Sequence, residues 1–499
     1  MKQNFLLLII FFQLFYFTLL QDRLVFLYTH FRHGARAPQS VGDNFYDILG
    51  EFWNIPGELT GVGQRMQYIL GLRNREKYIK KDKFLSQTYD AHEILIHSTN
   101  YNRTMESCSS HLQGLYPIRE QLGYNISQEQ IEIAYPPGNI SQEIQNAVDE
   151  MGSVALPYQM TLIPIRMISD NDKEMNIGEI IECSEESYAI LLQNQQNVPE
   201  LKDVFINFHV KYAESLNKYF NKETATFNEV ELYDICDAFL SNYADKREMK
   251  EFKEKSGLDF DKFKEDCFNY TGNIYIYGYY GDKNKTLAHL ESSKLLRKEL
   301  FYMKRRLDAD ISDENEDANL KDFSRPKMLM MSAHDTTVTS DIVLILSSLG
   351  LNISELYHFP RYASQLALEV RTNKSKCSSY SDYYVLGLHD AEELFNINAQ
   401  EFIDKVERNL WSDEQINDFC GFDSDYKIAN ITTYIKEDKK DNAKKAYKAL
   451  MSVFICLSAI LLGTTILFAY KYSKANKPMP PFDQQASYNP TIATNISTK

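Results

Sequence analysis

The chain has 499 residues, a formal net charge of −15, 44% hydrophobic and 25% charged residues. That length holds one large core or two linked ones, and the balance is that of a folded globular protein. The acidic field excludes nucleic acid and other polyanions as main partners, yet a local arginine cluster still holds a small phosphate ester in an acidic protein.

In chain order, residues 5–20 are apolar and follow Lys2, which reads as a secretory signal peptide over 1–20. A retained signal anchor is the alternative; Asp22 and Arg23 argue against it. Leu24, Val25, Phe26 and Leu27 form the first apolar run, Ile94, Leu95 and Ile96 the second, and Met328, Leu329, Met330 and Met331 the third. Each reads as a strand buried on both faces, as in a parallel sheet. Between the first two, residues 59–78 read as a helix, with Leu59, Met66, Ile69, Leu70 and Leu72 supplying its apolar face. Strand–helix–strand order predicts a three-layer α/β/α domain with a mixed, mostly parallel sheet. The polar middle, about 120–300, reads as an inserted, mostly α-helical cap with helices near 187–195, 201–220, 227–243 and 285–303. The acidic run at 308–317 reads as a solvated loop. Segments 366–371 and 383–388 read as two strands that add an antiparallel edge.

Residues 431–448 form a charged stalk. The uncharged run at 449–470 matches the roughly 20 residues of a transmembrane helix; a buried core helix is the alternative. The lysines before this run outnumber those after it, but a signal peptide translocates a long following domain largely regardless of flanking charge. The expected arrangement is a type I membrane protein with 21–430 luminal or extracellular and a polar cytoplasmic tail at 471–499. Cys456 falls in the span. An even set remains, Cys108, Cys183, Cys236, Cys267, Cys377 and Cys420, which allows up to three disulfides. No CxxC pair points to structural zinc. Sequons at Asn125, Asn139, Asn269, Asn284, Asn352, Asn373 and Asn430 fit a glycosylated surface.

In an open α/β sheet, ligands sit beyond the carboxyl ends of the strands. The first run leads into Arg32-His33-Gly34-Ala35-Arg36-Ala37-Pro38. The second leads into a stretch ending Asn102-Arg103-Thr104, and the third into His334-Asp335-Thr336-Thr337. These residue types suit phosphoryl transfer. Arg32, Arg36 and Arg103 can neutralise a phosphate dianion through planar, paired hydrogen bonds. His33 can act as nucleophile when one ring nitrogen is free. Gly34 allows close backbone approach after it. Asp335 can protonate the leaving oxygen, and His334 can donate to phosphate oxygens. Each motif alone is weak; the combination at three strand ends carries the reading.

That combination resembles the histidine acid phosphatase family, the histidine phosphatase branch with prostatic and lysosomal acid phosphatases and phytases. The resemblance covers roughly residues 22–420. It rests on RHGARAP at 32–38, NRT at 102–104, SAHDTTV at 332–338, the segment from Leu59-Thr60-Gly61 through Gln67, and Pro360 with Tyr362-Ala363-Ser364. It implies a phosphohistidine on His33, proton donation by Asp335, and phosphate binding by Arg32, Arg36, Arg103 and His334. It implies no cofactor and no metal. It suggests a Cys183–Cys420 bridge; Cys236–Cys267 is a separate guess. His97 and Gln365 depart from the pattern, standing where relatives often carry arginine and a disulfide cysteine. The expected function is acid hydrolysis of small phosphate monoesters, with no nucleic acid partner and a membrane contact through the single span; a homodimer is left open. Two alternatives stand beside it: the same mechanism narrowed to inositol polyphosphates or a lysophospholipid phosphate, and a surface receptor with a dead phosphatase domain.

Overall fold

The computed structural model describes residues 22–39, 55–118, 123–138, 140–168, 189–191, 193–194, 197–220, 227–312 and 325–420. The expected signal peptide, stalk, span and tail lie outside the described residues, as do Cys183 and Cys456. Among the described residues no helix is long and apolar enough to cross a membrane.

The three apolar runs become the centre of a sheet. Its strands are β1 (Arg23–Arg32), β2 (Ile94–Thr99), β3 (Arg166–Ile168), β4 (Met328–Ala333), β5 (Gln365–Thr372), β6 (Tyr384–His389) and β7 (Glu392–Asn398). Their spatial order is β3-β2-β4-β1-β5-β6-β7. β2 and β4 are buried throughout, as is β1 beyond Arg23. Strands covered on both faces need apolar residues at every position, which is why these runs do not alternate.

The sheet is evenly mixed, not mostly parallel. β1–β4, β2–β4 and β2–β3 pair parallel, while β1–β5, β5–β6 and β6–β7 pair antiparallel. The extra antiparallel pair arises from β7, absent from the sequence expectation. It follows β6 through Asp390 and Ala391, both at positive φ, 52° and 73°. A two-residue hairpin turn of that hand usually takes glycine, so the sequence lacks the usual marker.

The helices are α1 (Gly61–Asn74), α2 (Asn102–Leu115), α3 (Gln128–Ile133), α4 (Gln142–Met151), α5 (Pro199–Phe220), α6 (Glu229–Ala244), α7 (Lys250–Ser256), α8 (Phe260–Asn273), α9 (Thr286–Ser312), α10 (Asp335–Leu349), α11 (Ile353–Leu356), α12 (Ala399–Asn409) and α13 (Asp413–Cys420). Both faces of β1 are covered. Leu27 and Phe31 pack with Leu70 of α1 and Leu112 and Leu115 of α2, and Phe31 stacks on His111 at 4.6 Å. Tyr28 and His30, on the alternate face, reach Asp341 of α10. Each such apolar side chain, fully buried, contributes about 1.5–3 kcal/mol.

The face of α1 differs from expectation. Ile69 is 49% and Leu72 37% exposed, and the buried positions are Gly63, Gln67, Leu70, Gly71 and Asn74. The cause is a close crossing with α2. A Cβ on Gly71 would lie 2.0 Å from His111 O, and one on Gly114 would lie 2.1 Å from Tyr68 O. Backbones that touch leave no room for branched side chains.

Helices α5 to α8 gather a core of their own around Phe239, Phe252, Phe263 and Tyr270. A Cys236–Cys267 disulfide ties α6 to α8. Cys420 is also disulfide-bonded. Cys108 and Cys377 are free, buried thiols, so the third bridge that the even count allowed does not form. The serines of two sequons have local work: Ser127 and Ser141 are the N-caps of α3 and α4.

Candidate active site

Register brings the motifs together. β1 and β4 run parallel with Arg32 opposite Ala333, and Ser98 of β2 lies opposite Ser332 of β4. Equal register makes the three strands end at one level. The His33 N–H then donates to Ala333 O at 3.0 Å, and His33 and His334 lie with ring centroids 5.7 Å apart. After His33 the chain crosses the start of α1. A Cβ on Gly34 would sit 2.2 Å from Gly63 O, so only glycine fits there. Gln67 donates to Arg32 O at 2.7 Å, which explains a buried polar residue on α1.

The six residues singled out from the sequence converge at this edge. His33 Nδ1 lies 2.8 Å from Gly34 O. A carbonyl only accepts, so Nδ1 carries the proton and Nε2 keeps a free lone pair. Burial, with the charges of Arg32, Arg36, Arg103 and His334, holds this imidazole well below its ordinary value. Charged guanidinium groups therefore favour its neutral form.

Arg32 meets Asp335 at 2.8 Å, donates to Pro360 O at 2.8 Å, and lies 4.4 Å from the centroid of the Tyr362 ring. Arg36 grips Asp237 of α6 with both terminal nitrogens, at 2.9 and 3.2 Å. Burial disfavours the Arg36 charge, but Asp237 more than offsets this and raises its pKa. Asp237 in turn is lowered below the usual carboxylate range: burial opposes this, but Arg36 and the Gln39 N–H outweigh it.

Arg103 lies over the Tyr101 ring at 4.5 Å, and its Nη2 is 3.4 Å from His334 Nδ1. Burial and Arg36 lower the Arg103 guanidinium to about 10. Since arginine only donates, His334 Nδ1 accepts and Nε2 carries the proton. That Nε2 lies 3.0 Å from Thr99 Oγ1. Burial, then Arg103, Arg36 and Arg32, depresses His334 as well. In this geometry both His334 nitrogens have protein partners.

Beyond Arg32 and Asp335 opens a narrow cleft walled by Tyr233, Leu240, Phe268, Phe359 and Tyr362 with Asp237 and Thr271. Tyr233, Asp237 and Leu240 come from α6; Phe268 and Thr271 come from α8. Sequence reasoning did not single out Asp237 or the aromatic wall from the helical segment. One aspartate among many on a polar helix carries no local mark. Tyr362 lay within a quoted motif, and the stretch before Arg103 held Thr99 and Tyr101. Gln365, the departure noted above, is buried and accepts from Asn74 at 2.8 Å.

Part of the chain is similar to human testicular acid phosphatase: 39% identity over 97 residues, 19% of this chain and 22% of that protein. A bovine lysophosphatidic acid phosphatase type 6 is 26% identical over 177 residues, 35% of this chain and 40% of that protein. The chain spans less than a quarter of the length of the testicular acid phosphatase and of two Caenorhabditis elegans putative acid phosphatases, 22% to 23%. The fold resembles that of a Hafnia alvei phytase solved with myo-inositol hexakis sulphate, with TM-score 0.51, 12% identity, and coverage of 79% of this chain and 98% of that one. The sequence matches the histidine phosphatase superfamily (branch 2) over residues 23–386, a stretch that contains both strand-end histidine motifs and the arginine between them. This chain belongs to the histidine phosphatase superfamily, branch 2.

Proposed function

We propose that the protein is an acid phosphatase that hydrolyses phosphate monoesters through a phosphohistidine on His33. The observation that carries this reading is the bare Nε2 of His33, fixed by the Nδ1–Gly34 contact at 2.8 Å and flanked by three arginines. Arg32, Arg36, Arg103 and His334 hold the phosphoryl group, and the starts of α2 and α10 add favourable dipoles. An arriving phosphate displaces Asp335 from Arg32 and Asp237 from Arg36. Once the anion's charge offsets the arginines that depress it, His334 takes up a proton from solvent at Nδ1, in place of the Arg103 contact, and donates it to a phosphate oxygen. His33 Nε2 attacks phosphorus as the ester P–O bond breaks, and Asp335 gives its proton to the leaving oxygen. Asp335 then takes a proton from water, the water attacks phosphorus, and the P–N bond breaks to release inorganic phosphate.

The test is hydrolysis of an aryl phosphate at about pH 5, with vanadate and with EDTA. Hydrolysis blocked by vanadate and indifferent to EDTA supports the reading; a requirement for divalent metal counts against it. His33→Ala lowers turnover by at least about 10³-fold. Asp335→Asn slows alkyl phosphates about 10²–10⁴-fold and aryl phosphates less, because an aryl oxide leaves more easily unprotonated.

A second reading narrows the substrate. The apolar wall and the Asp237 carboxylate favour an ester with one phosphate and an apolar body, such as a lysophospholipid phosphate, over an inositol polyphosphate. A competition panel of the two with an aryl phosphate separates them. The domain is further read as luminal or extracellular, behind a signal peptide and a single span at 449–470, with the segment at about 120–300, which includes α5 to α8, as the cap over the site. The Cys236–Cys267 disulfide supports an oxidising compartment.

A further inference from the structure

Beneath the candidate site, β1 and α10 meet across a buried polar layer that the phosphate chemistry does not use. The His30 and Asp341 side chains are both fully buried there. His30 Nδ1 lies 2.7 Å from Asp341 Oδ2, and Tyr28 donates its hydroxyl to the same oxygen at 2.8 Å. His30 Nε2 lies 3.2 Å from Thr337 Oγ1. Thr337 in turn holds the backbone of His334 twice. The His334 N–H donates to Thr337 Oγ1 at 3.0 Å, and the Thr337 hydroxyl donates to His334 O at 2.9 Å.

Proton counting fixes the direction of these bonds. A hydroxyl has one proton to give. Thr337 gives its proton to the His334 carbonyl, so toward His30 it can only accept. His30 Nε2 therefore carries a proton. Two carboxyls from α9 lie near. Burial, then Asp341, pushes Glu299 well above its ordinary range. Burial also pushes Glu291 up to about 7. The layer is joined to the site through the Thr337 hydrogen bonds.

We propose that His30 is a positioning residue for the turn that carries His334 and Asp335. His30 fixes the rotation of the Thr337 hydroxyl, and that hydroxyl fixes the His334 backbone. Asp335 follows directly, as the first residue of α10. A loosened turn displaces the Asp335 carboxyl from the ester oxygen. Arg32, Arg36 and Arg103 are placed from β1 and α2 and stay where they are. The inference rests on the phosphatase reading above.

The experiment measures kcat/KM for an alkyl and an aryl phosphate on the same preparation of the full chain. Their ratio cancels the fraction of folded protein, and it falls when leaving-group protonation is impaired. In His30→Phe the alkyl-to-aryl ratio falls about 10-fold or more, the scale of a small misplacement of a catalytic group. Thr337→Val, an isosteric change on the other side of the contact, lowers it likewise. His30→Gln can present an N–H to Thr337 and returns the ratio to within about threefold of wild type. A purely structural role would lower Tm and leave the ratio alone. An unchanged ratio in both His30→Phe and Thr337→Val overturns the inference. Wild-type protein that hydrolyses neither ester fails the phosphatase reading instead.

Discussion

Arg36 on the β1 side and Asp237 on α6, a wall residue of the cleft, form a two-point ion pair with contacts of 2.9 and 3.2 Å. Their side chains are 3% and 11% exposed, so the pair is largely withdrawn from water. A phosphate that binds Arg36 must compete with this carboxylate.

Asp237→Asn tests that competition. The variant leaves a buried guanidinium without its counter-charge, which costs roughly 3 kcal/mol of stability when no anion is present. Phosphate or vanadate then restores the missing charge. Thermal melts should show a lower Tm in phosphate-free buffer and a larger rise on adding vanadate than in wild type. Inhibition by phosphate should tighten several-fold, about 1 kcal/mol. Identical melts and identical inhibition would mean that Asp237 and phosphate do not share Arg36.

The tautomer of His33 is open to direct observation. Its Nδ1 contact with Gly34 O and its depressed pKa predict a neutral ring at pH 5, with Nδ1 protonated and Nε2 bare. Nitrogen-15 spectra of histidine-labelled protein, assigned by comparison with His33→Ala, would report it. A ring with both nitrogens protonated at pH 5 would remove the nucleophile at the pH where the enzyme is expected to work.

Glu291 predicts a pH effect on stability with a definite sign. Its folded pKa is raised from 4.5 to about 7, chiefly by burial, although the Tyr280 hydroxyl bonds to it. A raised carboxyl keeps its contribution below about pH 4.5 and loses it as pH rises through 7, because the unfolded chain ionises more easily. Glu291→Gln removes this loss. Its stability gain over wild type should be near zero at pH 4 and grow to roughly 3 kcal/mol by pH 8. A constant difference across that range would show that Glu291 does not titrate on unfolding.

The centre of the sheet was legible because β1, β2 and β4 are apolar at every step, and the convergence of Arg32, His33, Arg36, Arg103, His334 and Asp335 was legible because each group lies at or just beyond the end of one of those strands. The edge was less so. β7 enters through Asp390 and Ala391, whose positive φ values carry no glycine to announce them. The inward side of α1 was misread because helix contact there runs through Gly63, Gln67 and Gly71, not through Ile69 and Leu72. A hydrophobic pattern cannot reveal an interface made by the lack of side chains. Asp237 lies 201 residues from Arg36 in sequence, and its partnership exists only once α6 is packed. His30 was hidden in a strand whose apolar neighbours set its apparent character.

The spatial order β2-β4-β1 has a consequence for synthesis. The strands that lead into Arg103 and His33, β2 and β1, are made early, yet they are not neighbours; β4 must slide between them, and it begins only at Met328. A growing polypeptide that has not yet delivered this late segment cannot complete the proposed anion site. Ligand capture therefore marks a finished molecule, and a fragment ending before Met328 would be silent however well its early helices formed.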